Sequence, residues 1–256
     1  MPEALLTVRD LWKEFDGIQA VRGFELDLYP GEVVGLIGPN GAGKSTVVNL
    51  LSGFHRPSRG RITFAGHDIS QARPDRIARL GLVRTFQHIR LFSELTVRQN
   101  VEVAAAPRLQ ISTIDVALRT RRYRREVERW RQEVDELLEA SGLMAIQDRP
   151  AGVLPYGDQR RVEIIRALAT QPRALLLDEP AAGMNESEAA ALSDFLEWAQ
   201  GRYGLSLVLI EHHLDVVERL CQRVIVMDQG AIIASGTPEE VTQHREVIRA
   251  YLGEAA

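Results

Sequence analysis

The segment Gly38-Pro39-Asn40-Gly41-Ala42-Gly43-Lys44-Ser45-Thr46 follows the spacing G-x-x-x-x-G-K-[ST], directly after an apolar run and before a helical pattern. Glycines let such a turn wrap its backbone N–H groups around phosphate oxygens, and the helix that follows adds the positive end of its dipole. Lys44 then reaches the β and γ phosphates, and the Ser45 hydroxyl ligates Mg²⁺. A second group is Leu175-Leu176-Leu177-Asp178-Glu179-Pro180. The apolar strand ending in Asp178 delivers a carboxylate beside the phosphate loop, where it can hold Mg²⁺ through water. Glu179, one residue further out, can take a proton from an attacking water. Two adjacent acids would suit any solvated strand end; together with the phosphate loop they predict hydrolysis of ATP or GTP.

These groups meet only if strands set side by side carry them. The apolar runs 32–37, 174–177 and 205–210 read as strands buried on both faces. Each is followed by a glycine-rich or acidic turn and then a helix, which predicts a parallel α/β sheet. The runs 5–12, 24–28 and 61–66 are turn-bounded and predict a small antiparallel sheet beside it. Between residues 87 and 157 strand signals disappear, and Val127, Trp130, Val134, Leu137 and Leu138 recur at helical spacing. That helical segment carries the basic run Arg119, Arg121, Arg122, Arg124 and Arg125. The run reads first as a solvated face, with membrane headgroups or an acidic partner as the alternative. Residues 223–228 and 231–236 read as a hairpin around Gln229-Gly230, and Thr237-Pro238-Glu239-Glu240 as the capped start of a short helix.

Composition narrows the classes. The 256 residues carry 31 Lys plus Arg against 35 Asp plus Glu, a formal net charge of −4 that argues against a dedicated nucleic-acid binder. Cys221 is the single cysteine, which excludes a disulfide framework and suits a small buried side chain in a reducing compartment. The first ten residues lack a basic region followed by an apolar stretch, so an intracellular chain is expected. No window approaches a membrane span.

The phosphate loop, Arg84-Thr85-Phe86-Gln87, Leu154-Pro155-Tyr156-Gly157-Asp158-Gln159-Arg160-Arg161, Asp178-Glu179 and Ile210-Glu211-His212 come in the order found in the ATP-binding subunits of ATP-binding cassette (ABC) transporters, which the whole chain resembles. Residues 84–92, the Tyr-Gly-Asp-Gln signature, the Arg-rich helical insert and the ending 247–254 are similar to the ATPases of branched-chain amino-acid importers. The resemblance implies one ABC ATPase domain over 1–256. Its P-loop NTPase core, with a RecA-like parallel sheet and the antiparallel β subdomain, would occupy 1–89 and 160–256, and a helical subdomain 90–159. It implies that Gln87 contacts Mg²⁺ and the attacking water, that His212 contacts the γ-phosphate, and that Phe15 stacks under adenine. Tyr156, Gly157 and Asp158 stand in the signature, where Pro155 replaces the usual Ser. That segment is expected to close over ATP held by the phosphate loop of a second ABC ATPase subunit, identical or a paralogue. Further implied partners are integral membrane permease subunits and, indirectly, a periplasmic solute-binding protein, with the chain peripheral on the cytoplasmic face of the inner membrane. His213 and Asn185 are expected to start the helices that follow them, Asn185 through a capping box with Glu188. Rival readings are a soluble P-loop phosphotransferase, an ABC ATPase of DNA repair or translation, and ABC ATPases for urea, amide or lipid transport.

Overall fold

The computed structural model describes residues 3–86, 89–109 and 111–252. In chain order its elements are β1 Leu6–Phe15, β2 Ile18–Leu28, β3 Val33–Ile37, α1 Lys44–Leu51, β4 Arg59–Phe64, β5 His67–Asp68, α2 Pro74–Arg79 and β6 Leu82–Arg84. There follow α3 Val97–Ala105, α4 Thr113–Leu118, α5 Arg121–Ala140, α6 Tyr156–Leu168, β7 Ala174–Asp178, α7 Glu186–Tyr203 and β8 Ser206–Ile210. The chain ends in α8 Leu214–Leu220, β9 Arg223–Asp228, β10 Ala231–Gly236, α9 Pro238–Thr242 and α10 Arg245–Leu252. These elements divide into two compact units, one drawn from 1–87, 173–182 and 189–256, the other from 88–172 and 183–188. The whole of α6 therefore goes with the helical unit, where the sequence placed a boundary at 159/160.

In the first unit, β3, β7 and β8 are buried at every position, as their largely apolar sequences require. They lie side by side in a six-stranded sheet of order β10-β9-β3-β8-β7-β6, parallel except for the β9/β10 hairpin. Strand β6, only three residues long, was not expected from the sequence, because so short a run carries no periodicity. The expected antiparallel sheet has four strands in the order β2-β1-β4-β5. Helix α1 is the element the two sheets share: Val47 and Leu50 pack in one core with Leu36 and Leu176 from the parallel sheet and Phe24, Ile62 and Phe64 from the antiparallel one. Each such fully buried aliphatic or aromatic side chain contributes about 1.5–3 kcal/mol. Cys221 is buried in this unit, and burial pushes its thiol up to about 12, with Glu211 adding to the shift, so it is inert packing as expected.

The second unit is helical. Val134, Leu137 and Leu138 of α5 are buried, while α6 buries Val162, Ile165 and Leu168. Thr96 with Gln99 and Ser112 with Asp115 form capping boxes at the starts of α3 and α4. Asn100, fully buried, receives the Phe92 N–H at 3.0 Å and donates to Phe92 O at 3.0 Å and Thr96 O at 3.0 Å, tying the preceding loop to α3. Among the described residues no helix is long and apolar enough to cross a membrane.

Candidate functional site

Strand β3 delivers the chain into the glycine turn, and α1 receives it. Gly38 has φ +147° and Gly43 φ +102°, in the region that favours glycine. A Cβ on Gly38 would lie 2.1 Å from Met227 O, and one on Gly43 2.4 Å from Ala20 O, so neither position admits a side chain. Pro39, Asn40, Gly41 and Ala42 complete the turn, in which Ala42 N–H donates to Pro39 O at 3.2 Å. Lys44 opens α1 and is 6% exposed; its ammonium donates to Gly38 O at 2.7 Å and Pro39 O at 2.9 Å. Burial holds the Lys44 pKa below its ordinary value, while the Glu179 and Asp178 carboxylates pull it upward, so the predicted lysine and both predicted acids share one field. Ser45 and Thr46 follow in the first turn, which contains no acidic residue, and Ser45 is exposed. An anion placed at this turn meets free N–H groups and no competing carboxylate on the helix.

The carboxylates stand where β7 ends. Asp178, 3% exposed, accepts from Arg84 Nη2 at 2.9 Å, and Arg84 Nη1 donates to Asn49 Oδ1 of α1 at 2.5 Å. Arg84 thus ties the acid to the helix that follows the phosphate loop, a role its sequence position did not announce. Glu179 has φ +49°, a left-handed conformation that costs a non-glycine residue on the order of 1–3 kcal/mol and concentrates at working sites. Its Oε1 lies 3.0 Å from His212 Nε2, which brings together the acid and the histidine that the sequence singled out.

Glu211 was missed as a site residue. It is 1% exposed at the end of β8, and its Oε1 accepts from Ala181 N–H at 2.7 Å. Its Oε2 accepts from His212 N–H at 2.9 Å and His213 N–H at 3.3 Å, and lies 3.1 Å from His213 Nδ1. One carboxylate therefore fixes both the turn after Glu179 and the turn that carries His212. Charge-assisted bonds of this kind leave costly orphans when their acceptor is removed. Glu211→Ala is expected to lower the unfolding free energy by about 3 kcal/mol, and Glu211→Gln, which keeps one acceptor oxygen, by about 1 kcal/mol. Urea denaturation checks both; equal midpoints for Glu211→Ala and the parent would remove this account. Tyr251 of α10 was missed as well: burial raises its phenol pKa, and the Gly38 backbone of the phosphate loop pulls against that shift. Nothing in a lone tyrosine near a chain end signals such a contact.

The remaining expected residues fall as follows. Phe15, at the end of β1, is 38% exposed, with its ring edge-on to His55 at 5.2 Å and Lys13 Nζ 4.6 Å from its centroid. Gln87 lies outside the described residues. Tyr156, Gly157 and Asp158 form the first turn of α6 in the helical unit: Pro155 is the N-cap without a side-chain bond, and Tyr156 is 46% exposed. Asp158 pairs with Arg161 Nη2 at 2.5 Å. Asn185 and Glu188 make the expected reciprocal bonds, each 3.0 Å. His213 is the N-cap residue of α8, but its ring faces Glu211 and does not cap.

A glycine turn between a central parallel strand and a helix, with an acid at the end of a second strand of the same sheet, defines a P-loop nucleotide hydrolase. The ABC transporter family profile matches residues 21–182, and the chain belongs to this family of ATP-binding, ATP-hydrolysing cassettes. A profile described as branched-chain amino acid ATP-binding cassette transporter matches residues 231–256. The high-affinity branched-chain amino acid transport ATP-binding protein LivG of Escherichia coli K12 is 43% identical over 255 residues, covering 100% of both chains. BraF of Pseudomonas aeruginosa, which bears the same description, is 40% identical over 100% of both. A crystal structure of the ADP conformation of an ABC transporter cassette superposes with a TM-score of 0.81 at 30% identity, covering 98% of this chain and 99% of the other.

Proposed function

We propose that this chain binds and hydrolyses ATP to energise import of branched-chain amino acids, as the cassette subunit of a membrane-bound transporter. The observation that carries the reading is the Lys44, Asp178, Glu179 and His212 constellation in a chain that matches branched-chain transport ATPases from end to end.

In this reading the 38–43 turn and the N-terminus of α1 bind the triphosphate, and Lys44 leaves its two loop carbonyls for the β and γ phosphates. Glu179 orients a water and accepts its proton, and His212, held at 3.0 Å, positions that carboxylate and meets the γ-phosphate. Phe15, exposed at the end of β1, offers its face to adenine; stacking of this kind contributes about 1–3 kcal/mol and tolerates base identity. Tyr156, Gly157 and Asp158 act on the nucleotide of a second cassette, so that a dimer completes each site on closure. Permease subunits convert closure into transport, a solute-binding protein delivers the amino acid, and the chain sits on the cytoplasmic side of the membrane.

The donor set fits Mg²⁺. Ser45 is an exposed hydroxyl in the first turn of α1, and Asp178 is a hard oxygen donor on the same unit. Among the described residues no group of three His, Cys, Asp or Glu could hold a metal alone, which suits an ion that takes most ligands from phosphate and water. Ser45 and Asp178 would hold it, with Gln87 a further ligand, and it would neutralise charge on the transferred phosphoryl group.

Expression in a bacterium lacking its own branched-chain transport ATPase tests the reading. The chain supplied with its permeases should restore uptake of labelled leucine, isoleucine and valine. ATP hydrolysis without uptake of any of the three would overturn the solute and keep the ATPase.

A further inference from the structure

The helical unit carries a surface that nucleotide chemistry does not use. Ile114 and Leu118 of α4 are 67% and 72% exposed, and Val116 between them is 47% exposed. Arg119 follows at the C-cap, and α5 opens with Arg121, Arg122, Arg124 and Arg125, all exposed. The junction is an ordered one: Thr120 Oγ1 bonds Asp115 Oδ1 at 2.8 Å and accepts from Tyr123 N–H at 3.2 Å. Apolar and basic side chains are thereby held on consecutive turns of one segment.

Folding does not account for these arginines. A helix N-terminus disfavours cations, and the first turn of α5 contains no acidic residue to offset them. Elsewhere in the same unit arginines are matched to acids: Arg98 to Asp135 at 2.5 Å, Arg108 to Glu133 at 2.8 Å, Arg161 to Asp158 at 2.5 Å. None of the five in the run makes an ion pair among the described residues. Asp115 lies near Arg122: its carboxyl is held low chiefly by hydrogen bonds from Ser112 and Thr120, with Arg122 adding a smaller pull, and Glu126 and Glu128 follow the run one turn on in α5.

We propose that the 114–125 segment is a docking surface for an anionic lipid bilayer. Arginines on the polar side and protruding aliphatic side chains beside them are the composition of an interfacial segment, which combines headgroup attraction with shallow apolar insertion. The guanidinium groups are exposed, and among the described residues they make no ion pair, which suits a diffuse anionic surface over one stereospecific protein partner. Nucleic acid would leave Ile114 and Leu118 without use. The surface adds a direct lipid contact to whatever the permease provides, and it needs no nucleotide to act.

The test is flotation of the purified full chain with vesicles of phosphatidylcholine alone and of phosphatidylcholine mixed equally with phosphatidylglycerol. Binding is expected to the anionic vesicles only, weakening as salt rises. Arg121→Ala/Arg122→Ala/Arg125→Ala should reduce it by on the order of 10²-fold, at about fivefold per arginine. Ile114→Ser/Leu118→Ser should reduce it about tenfold while leaving the salt dependence in place. Both variants should keep the parental circular dichroism and ATP affinity, which shows that they fold. Absence of binding to anionic vesicles overturns the proposal, as does binding that both variants retain. If the arginine variant still binds vesicles but no longer co-purifies with the permease in detergent, the face is a protein-docking surface and the lipid assignment is wrong. Lipid binding is read without permease or nucleotide, so its failure leaves the transport reading untouched.

Discussion

Replacing Glu179 by Gln is expected to lower ATP hydrolysis by about 10²–10⁴-fold while ATP still binds. The substitution isolates proton acceptance from shape. Glutamine is isosteric with glutamate and meets the φ +49° of this position with the same side-chain bulk, so the backbone strain is unchanged. Its amide oxygen can still accept from His212 Nε2, where Glu179 Oε1 now lies at 3.0 Å. Glu211, which holds both neighbouring turns, is untouched. What disappears is the basic oxygen that takes a proton from water. Unhydrolysed ATP should then keep two subunits associated, and gel filtration with ATP should show a dimer that the parent chain does not accumulate. Hydrolysis at the parental rate would transfer the role of base to another group, with His212 the first to examine.

The fold was legible where period and punctuation were strong. The three mostly apolar runs became β3, β8 and β7 within a residue or two, because a strand buried on both faces has little choice of composition. Thr237 and Asn185 began their helices as their spacing to Glu240 and Glu188 predicted. The hairpin of β9 and β10 was legible from Gln229-Gly230, both of which have positive φ. What escaped notice depended on distance in sequence. Arg84 gains its meaning from Asn49 and Asp178, and Glu211 from Ala181; no local pattern reports partners so far along the chain. Strand β6 exists because β7 offers it an edge, and three residues carry no signal of that. The expected division at 159/160 runs through α6, which packs with α3 and falls in the helical unit.

Lys44→Ala should reduce ATP affinity by about 10²–10⁴-fold, which corresponds to two charge-assisted hydrogen bonds at roughly 1.5–3 kcal/mol each. The stability of the chain without nucleotide should move the other way or not at all. In the folded protein burial is the largest influence on the Lys44 ammonium and lowers its pKa, so folding disfavours the charged form relative to the unfolded chain. Removing the lysine removes that cost; of the two carbonyls it leaves, that of Gly38 is buried, which offsets part of the gain, and that of Pro39 is half-buried beside the exposed Asn40 and Gly41. The two effects have opposite signs, so they separate a binding residue from a folding residue in one variant. Isothermal titration with ATP reads the first and a urea transition the second. A fall in affinity with an unchanged or raised urea midpoint identifies Lys44 as a ligand of the triphosphate. Unchanged affinity would show that the 38–46 segment is not the nucleotide site. A lowered midpoint with matching loss of binding would mean that the lysine organises the loop through Gly38 and Pro39 and acts on phosphate only through that order.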